Sequence, residues 1–129
     1  SDLDTNICIF YMKGKFDLDN KFESISSENL FISEITLAEL KYGVEKSDHL
    51  SKNKKALEDF LTGVQILPII QSLDIFAKEK ARLRKAGTVI DDFDLLIGST
   101  SVAYNLTMVT NNTTHLERIK GIKLEDWTK

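Results

Sequence analysis

The stretch Leu30-Phe31-Ile32-Ser33-Glu34-Ile35-Thr36-Leu37-Ala38-Glu39-Leu40-Lys41-Tyr42-Gly43 passes from an apolar run into a helical pattern with no turn residue between them. Leu30 to Ile32 reads as a short strand. The polar start from Ser33 to Thr36 suits a helix N-cap, Ile35, Leu37, Ala38 and Leu40 then recur at helical spacing, and Gly43 lies near the helix end. A strand feeding straight into a helix is the first half of a crossover that returns to a parallel neighbour.

The same alternation extends in both directions. Leu3 to Asn6 reads as the end of a strand and Ile7 to Met12 as a helix turning at Gly14. Phe16, Leu18, Phe22 and Ile25 have helical spacing and lead into a polar loop, Ser24 to Asn29. Leu50 to Leu61 forms a helix closed by Gly63, and Val64 to Ile70 a buried strand with Pro68 at its end or edge. A charged helix from Leu73 stops at Gly87, and another runs from Asp92 to Tyr104. Leu106 to Thr110 is strand-like, Thr113 to Ile119 a short helix, and Ile122 to Trp127 a terminal strand. Together these predict an α/β fold whose central, mainly parallel sheet of four to five strands has helices on both faces. In such sheets polar residues at strand carboxyl ends gather in one crevice.

With 129 residues, no repeat and no Pro/Gly-rich linker, residues 1–129 are expected to form one domain. Charged residues are 29% of the chain against 42% hydrophobic, a balance that excludes a disordered or fibrous protein. No apolar run approaches the roughly 20 residues of a membrane span, and no export signal opens the chain, so a cytoplasmic location is expected. One cysteine and two histidines cannot build a structural zinc site, which leaves oxygen ligands for any metal. A net charge of −3 argues against a nonspecific nucleic-acid coat but leaves room for a basic rim around an acidic pocket.

Asp4 closes the first strand, Glu39 lies in the helix after the next, and Asp91, Asp92 and Asp94 open the helix that continues as Leu95-Leu96-Ile97. Taken singly, each is a helix cap or a solvated carboxylate. Placed together by a parallel sheet, Asp4, Glu39 and Asp94 would repel unless a cation neutralised them, and carboxylates suit Mg²⁺ or Mn²⁺. Such a site can hydrolyse a phosphodiester.

Leu3-Asp4-Thr5-Asn6, Ser33 to Leu40, Phe93-Asp94-Leu95-Leu96-Ile97-Gly98 and Val109-Thr110-Asn111-Asn112 resemble, in order, the four signature segments of PIN-domain ribonucleases. The likeness extends through Tyr42 to Ser47 and Leu124 to Trp127, and is greatest to the VapC toxins that cut initiator tRNA in its anticodon stem-loop. It implies a PIN-like domain and a Mg²⁺- or Mn²⁺-dependent endoribonuclease acting as the toxin of a toxin–antitoxin pair. The toxin would be a homodimer, inhibited by a cognate VapB-like antitoxin whose C-terminal segment places a basic side chain near the acids.

By motif, Asp4, Asp94 and Glu39 resemble the metal-binding acids, with Thr5, Asn6, Ser33 and Thr110 orienting them. Asn112 stands where many PIN domains have a fourth acid; it can hold a water but adds no charge. Asp92 is a possible extra acid, although two helical positions place it about 200° from Asp94. Lys78, Arg82 and Lys85 share one helical face that leads toward Asp94 and could guide an RNA backbone. His49 and His115 read as surface residues and Cys8 as a buried thiol. Two other readings remain open: a PIN-fold binding module of weak activity, favoured by Asn112, and a PIN nuclease in RNA processing.

Overall fold

A computed structural model describes all of residues 1–129. Five strands form one sheet in the order β3-β2-β1-β4-β5, with β1 Asp2–Leu3, β2 Phe31–Ser33, β3 Gln65–Leu67, β4 Thr107–Val109 and β5 Lys123–Glu125. Every pairing is parallel, and Asp2 lies opposite both Phe31 and Met108. Seven helices surround the sheet: α1 Thr5–Met12, α2 Leu18–Glu23, α3 Glu34–Glu45, α4 Leu50–Leu61, α5 Leu73–Lys85, α6 Asp92–Ala103 and α7 Thr113–Leu116. Alternation along β4 divides the interior. Val109 joins the core built on Leu3, Ile7, Ile32, Leu57, Phe60 and Trp127, whereas Met108 joins the second core with Leu83, Leu95, Ile97, Leu116 and Ile119. Gly98 lets α6 pack closely there, because a Cβ at this position would sit 2.5 Å from Ile119 Cδ1.

Several boundaries differ from those read in the sequence, each for a local reason. Thr5 and Asn6 belong to α1 rather than to β1, because the Asp4 carboxylate accepts the Ile7 N–H at 2.9 Å and starts the helix one residue after the acid. Phe16 is outside α2: it and Asp17 take left-handed backbone angles, and Phe16 is exposed. The strand expected to be buried from Val64 to Ile70 is a three-residue edge strand with Gln65 and Ile66 facing out and Pro68 just beyond it. Helix α7 ends at Leu116, and β5 spans only Lys123–Glu125.

The strand order turns around β1. The chain moves from β1 to β2 and β3 on one side, then crosses to β4 and β5 on the other, so the reversal lies between β1 and β4. This is where α/β sheets hold ligands, beyond the strand carboxyl ends.

The interior also holds Asp2, fully buried on the central strand, which accepts the Ser101 hydroxyl at 2.6 Å through Oδ2 while Oδ1 has no partner. Burial lifts its carboxyl to about 7, against the smaller opposing effect of Ser101. Between pH 4 and 7 the folded chain therefore keeps a proton that the unfolded chain has lost, and stability falls as pH rises through that window. The cost above pH 7 is on the order of 4 kcal/mol. Denaturant titrations at several pH values are expected to show a decline in the wild type that is shallower in Asp2→Asn, with the part between about pH 6 and 7 removed and the part below it kept by Asp4, whose carboxyl is raised to about 6; an equal slope in both would exclude a protonated Asp2.

Candidate active site

Asp4 follows β1, Ser33 ends β2 and Thr110 follows β4, so three neighbouring strands deliver polar residues to one end of the sheet. Asp4 is tightly seated. Its side chain caps α1, its own N–H donates to the Val109 carbonyl at 3.0 Å, and it bonds the Thr110 side chain. Only 6% of its surface is exposed.

Glu39 projects from the middle of α3, half-buried, and its Oε1 accepts the Thr5 hydroxyl at 2.5 Å. Thr36, fully buried one turn earlier on α3, lies 3.4 Å from the same hydroxyl. Thr5 thus ties the first turn of α1 to α3. Asp94 stands in the first turn of α6, whose N-cap is Asp91 through its bond to the Phe93 N–H.

Asp4 senses both other acids, and Asp94 senses Glu39. Burial first, then the proximity of Asp94 and Glu39, raises the Asp4 carboxyl to about 6 despite the bonds from Thr110 and Ile7. Asp94 is raised by burial, by Asp91 and by Glu39, with His115 opposing. No three of the chain's His, Cys, Asp or Glu side chains converge into a ready-made ligand set. As a donor set the three acids fit a hard divalent cation.

Around the acids, the expected helpers divide. Thr5 and Thr110 bond Glu39 and Asp4 respectively. Ser33 instead caps α3 by accepting the Thr36 N–H at 3.1 Å, and Asn6 is exposed on α1. Asp92 points away and pairs with Lys80 at 3.0 Å, since α6 already starts at Asp92. Arg82 is engaged within the fold: it bonds both carboxylate oxygens of the buried Glu79 at 2.8 Å and the Arg118 carbonyl at 2.7 Å. Lys78 and Lys85 remain exposed.

Three neighbours of the acids were given no part in the site by the sequence reading. Thr36 was seen only as part of a cap region; its place one turn before Glu39 was the available signal. Asp91 acts on Asp94 through space, and His115, exposed as expected, bonds Asn112 and weakly opposes the upward shift of Asp94.

A model of the PIN domain matches residues 3–122. The chain is 38% identical to a protein of Rickettsia felis named ribonuclease VapC2, over 98% of this chain and 97% of that one. It is 36% identical to a Salmonella typhimurium protein named tRNA(fMet)-specific endonuclease VapC, over 97% and 96%. Among solved structures it superposes on a chain of VapBC2 from Rickettsia felis, bound to a DNA fragment from its promoter, with a TM-score of 0.91 at 36% identity, covering 98% and 97%.

In metal-free protein at pH 8, Asp94→Asn removes one of three repelling charges and leaves the Asp91 cap intact. We expect its melting temperature to rise by a few degrees, roughly 1 kcal/mol. Calorimetry in EDTA checks this, and an unchanged or lower value would mean that the acids do not strain the fold.

Proposed function

The chain belongs to the PIN-domain family and to its VapC ribonucleases, and from that membership we propose that it is the toxin of a VapBC-type pair, a Mg²⁺- or Mn²⁺-dependent endoribonuclease that cuts tRNA in the anticodon stem-loop. The observation that supports this is that Asp94 and Glu39 both raise the cost of ionising Asp4, at the crevice beyond the carboxyl ends of the central strands.

Asp4, Asp94 and Glu39 would hold the cation. When bound, it would offset most of the charge of the three acids and the charge that develops on a phosphodiester under attack by water. The chain's own contribution is placement. Thr110 and the α1 cap fix the position of Asp4 and favour its ionised form against the larger effect of burial, and Thr5 fixes Glu39 by one oxygen. Glu39 Oε2 remains available to take a proton from the attacking water.

The cognate antitoxin fits the cleft of about 450 Å³ between α1, α3 and α4, floored by Ile9, Leu40, Val44 and Leu57, rimmed by Lys46 and reaching Glu39. An apolar antitoxin segment would lie in it and place a basic side chain against the acids, excluding the cation. A homodimer and a cytoplasmic site of action accompany this reading.

Incubation of the protein with total tRNA and Mg²⁺ or Mn²⁺ is expected to give discrete anticodon-loop cuts. These should be lost in EDTA and in Asp4→Asn and Asp94→Asn, both of which stay folded because Asn retains the Asp4 cap and Asp91 caps α6. Full activity in those variants would sink the acid site; no cleavage with either metal would favour the binding module.

For the basic face, Lys78→Gln with Lys85→Gln should lower the salt slope of RNA binding by roughly 1 to 2 and leave stability unchanged. Arg82→Gln should instead destabilise the fold by freeing the buried Glu79. An unchanged salt slope in the double lysine variant would remove α5 from the RNA path.

A further inference from the structure

Asn112 occupies the place where a fourth acid would stand, and its bonding shows what it offers instead. Its backbone N–H donates to the Thr110 hydroxyl at 3.0 Å, the same side chain that bonds Asp4, so Asn112 is tied to the acid network. Its side chain does not cap α7, the helix it precedes. Oδ1 lies 2.8 Å from His115 Nδ1. A carboxamide oxygen only accepts, so Nδ1 is the protonated nitrogen of this pair. Val109, beside Thr110 in the chain, accepts the Asp4 N–H at 3.0 Å, so the turn that carries Asn112 stands next to Asp4 and the pair borders the acid pocket.

With its oxygen taken by His115, Asn112 does not offer the acceptor that would hold a water by its proton. The free edge of the amide is Nδ2, with two N–H donors. Donors beside three carboxylates cannot bind a cation. They suit the group that those carboxylates repel.

We propose that Asn112 and His115 form a phosphate-oxygen subsite, in which His115 Nδ1 locks Asn112 Oδ1 and turns Nδ2 toward a non-bridging oxygen of the RNA phosphate at the cut. This rests on the ribonuclease reading above. Asn112 is the binding residue and His115 a positioning residue that acts through it. A neutral donor here relieves the charge that a fourth carboxylate would add next to Asp94.

The test uses the full chain and two readouts: anisotropy of a labelled tRNA anticodon stem-loop in EDTA, where no cation supports cleavage, and cleavage of that RNA with Mg²⁺. Asn112→Ala is expected to weaken binding roughly tenfold, and Asn112→Asp more, since it replaces a donor with a charge. His115→Ala should match Asn112→Ala, and the double variant should be no worse than either, because both remove one interaction. His115→Asn should restore binding, since its carboxamide nitrogen stands as many bonds from Cβ as Nδ1 does. Melting temperatures should stay unchanged in Asn112→Ala and in the His115 variants, while Asn112→Asp, which adds a repelling charge beside the acids, should melt slightly lower.

Wild-type binding and cleavage in Asn112→Asp, or additive losses in the double variant, would overturn the subsite. A wild type that neither binds nor cuts RNA would overturn the ribonuclease reading and the subsite with it. If the wild type cuts and Asp94→Asn does not, while Asn112→Asp behaves as wild type, only the subsite falls.

Discussion

The Asp4 carboxylate is asked to do two things that conflict. One oxygen caps α1 and must remain an acceptor, which holds the side chain between β1 and the first turn of the helix. The same anchoring buries it beside Asp94 and Glu39, where its ionised form is disfavoured and its carboxyl rises to about 6. The neighbouring architecture sets this balance. The Thr110 bond favours the charged form, β4 supplies Thr110 at the right height, and α6 brings Asp94 to the same opening with Asp91 as its cap.

The supporting bonds are divided between threonines and the helix ends they join. Thr5 connects α1 to Glu39, with Thr36 behind it; Thr110 connects Asp4 to the backbone of Asn112, and Asn112 connects to His115. A hydroxyl can donate to one partner and accept from another, so each threonine links a carboxylate to a second element without adding charge. This economy suits a pocket already carrying three acids. Asn112 follows the same logic: a neutral side chain stands beside the acids where a fourth carboxylate would have added to their repulsion.

Away from the pocket, the two buried acids outside it have different fates. Glu79 is met by Arg82 and by the Lys120 N–H, so its carboxyl is held below the usual range, chiefly by the Arg82 bond, and it fastens α5 to the turn before β5. Asp2 has only Ser101, and burial prevails. The contrast shows why a charge run cannot be read from spacing alone. Lys78, Arg82 and Lys85 share a face of α5, yet Arg82 is spent on Glu79, whose burial turns an apparently solvated run into a tertiary clamp.

Periodicity determined the number and order of the elements, because a strand of one period followed by a helix of another leaves its mark within a few residues, as in Leu30 to Gly43. Motif order likewise brought Asp4, Glu39, Asp94 and Asn112 onto one short roster, and sequence spacing ruled Asp92 away from Asp94. Contacts between distant segments were not legible. Nothing near Ser33 distinguishes a helix cap from a partner of an acid, and nothing near His115 announces Asn112 Oδ1 or Asp94. Strand ends moved by one to three residues because capping bonds, such as that of Asp4 to Ile7, compete locally with the ladder and win by geometry. The sequence by itself determined which residues carry charge and in what order the chain presents them; only the tertiary structure decided which charges meet, since that depends on strands and helices separated by tens of residues packing at the single crevice where the sheet reverses.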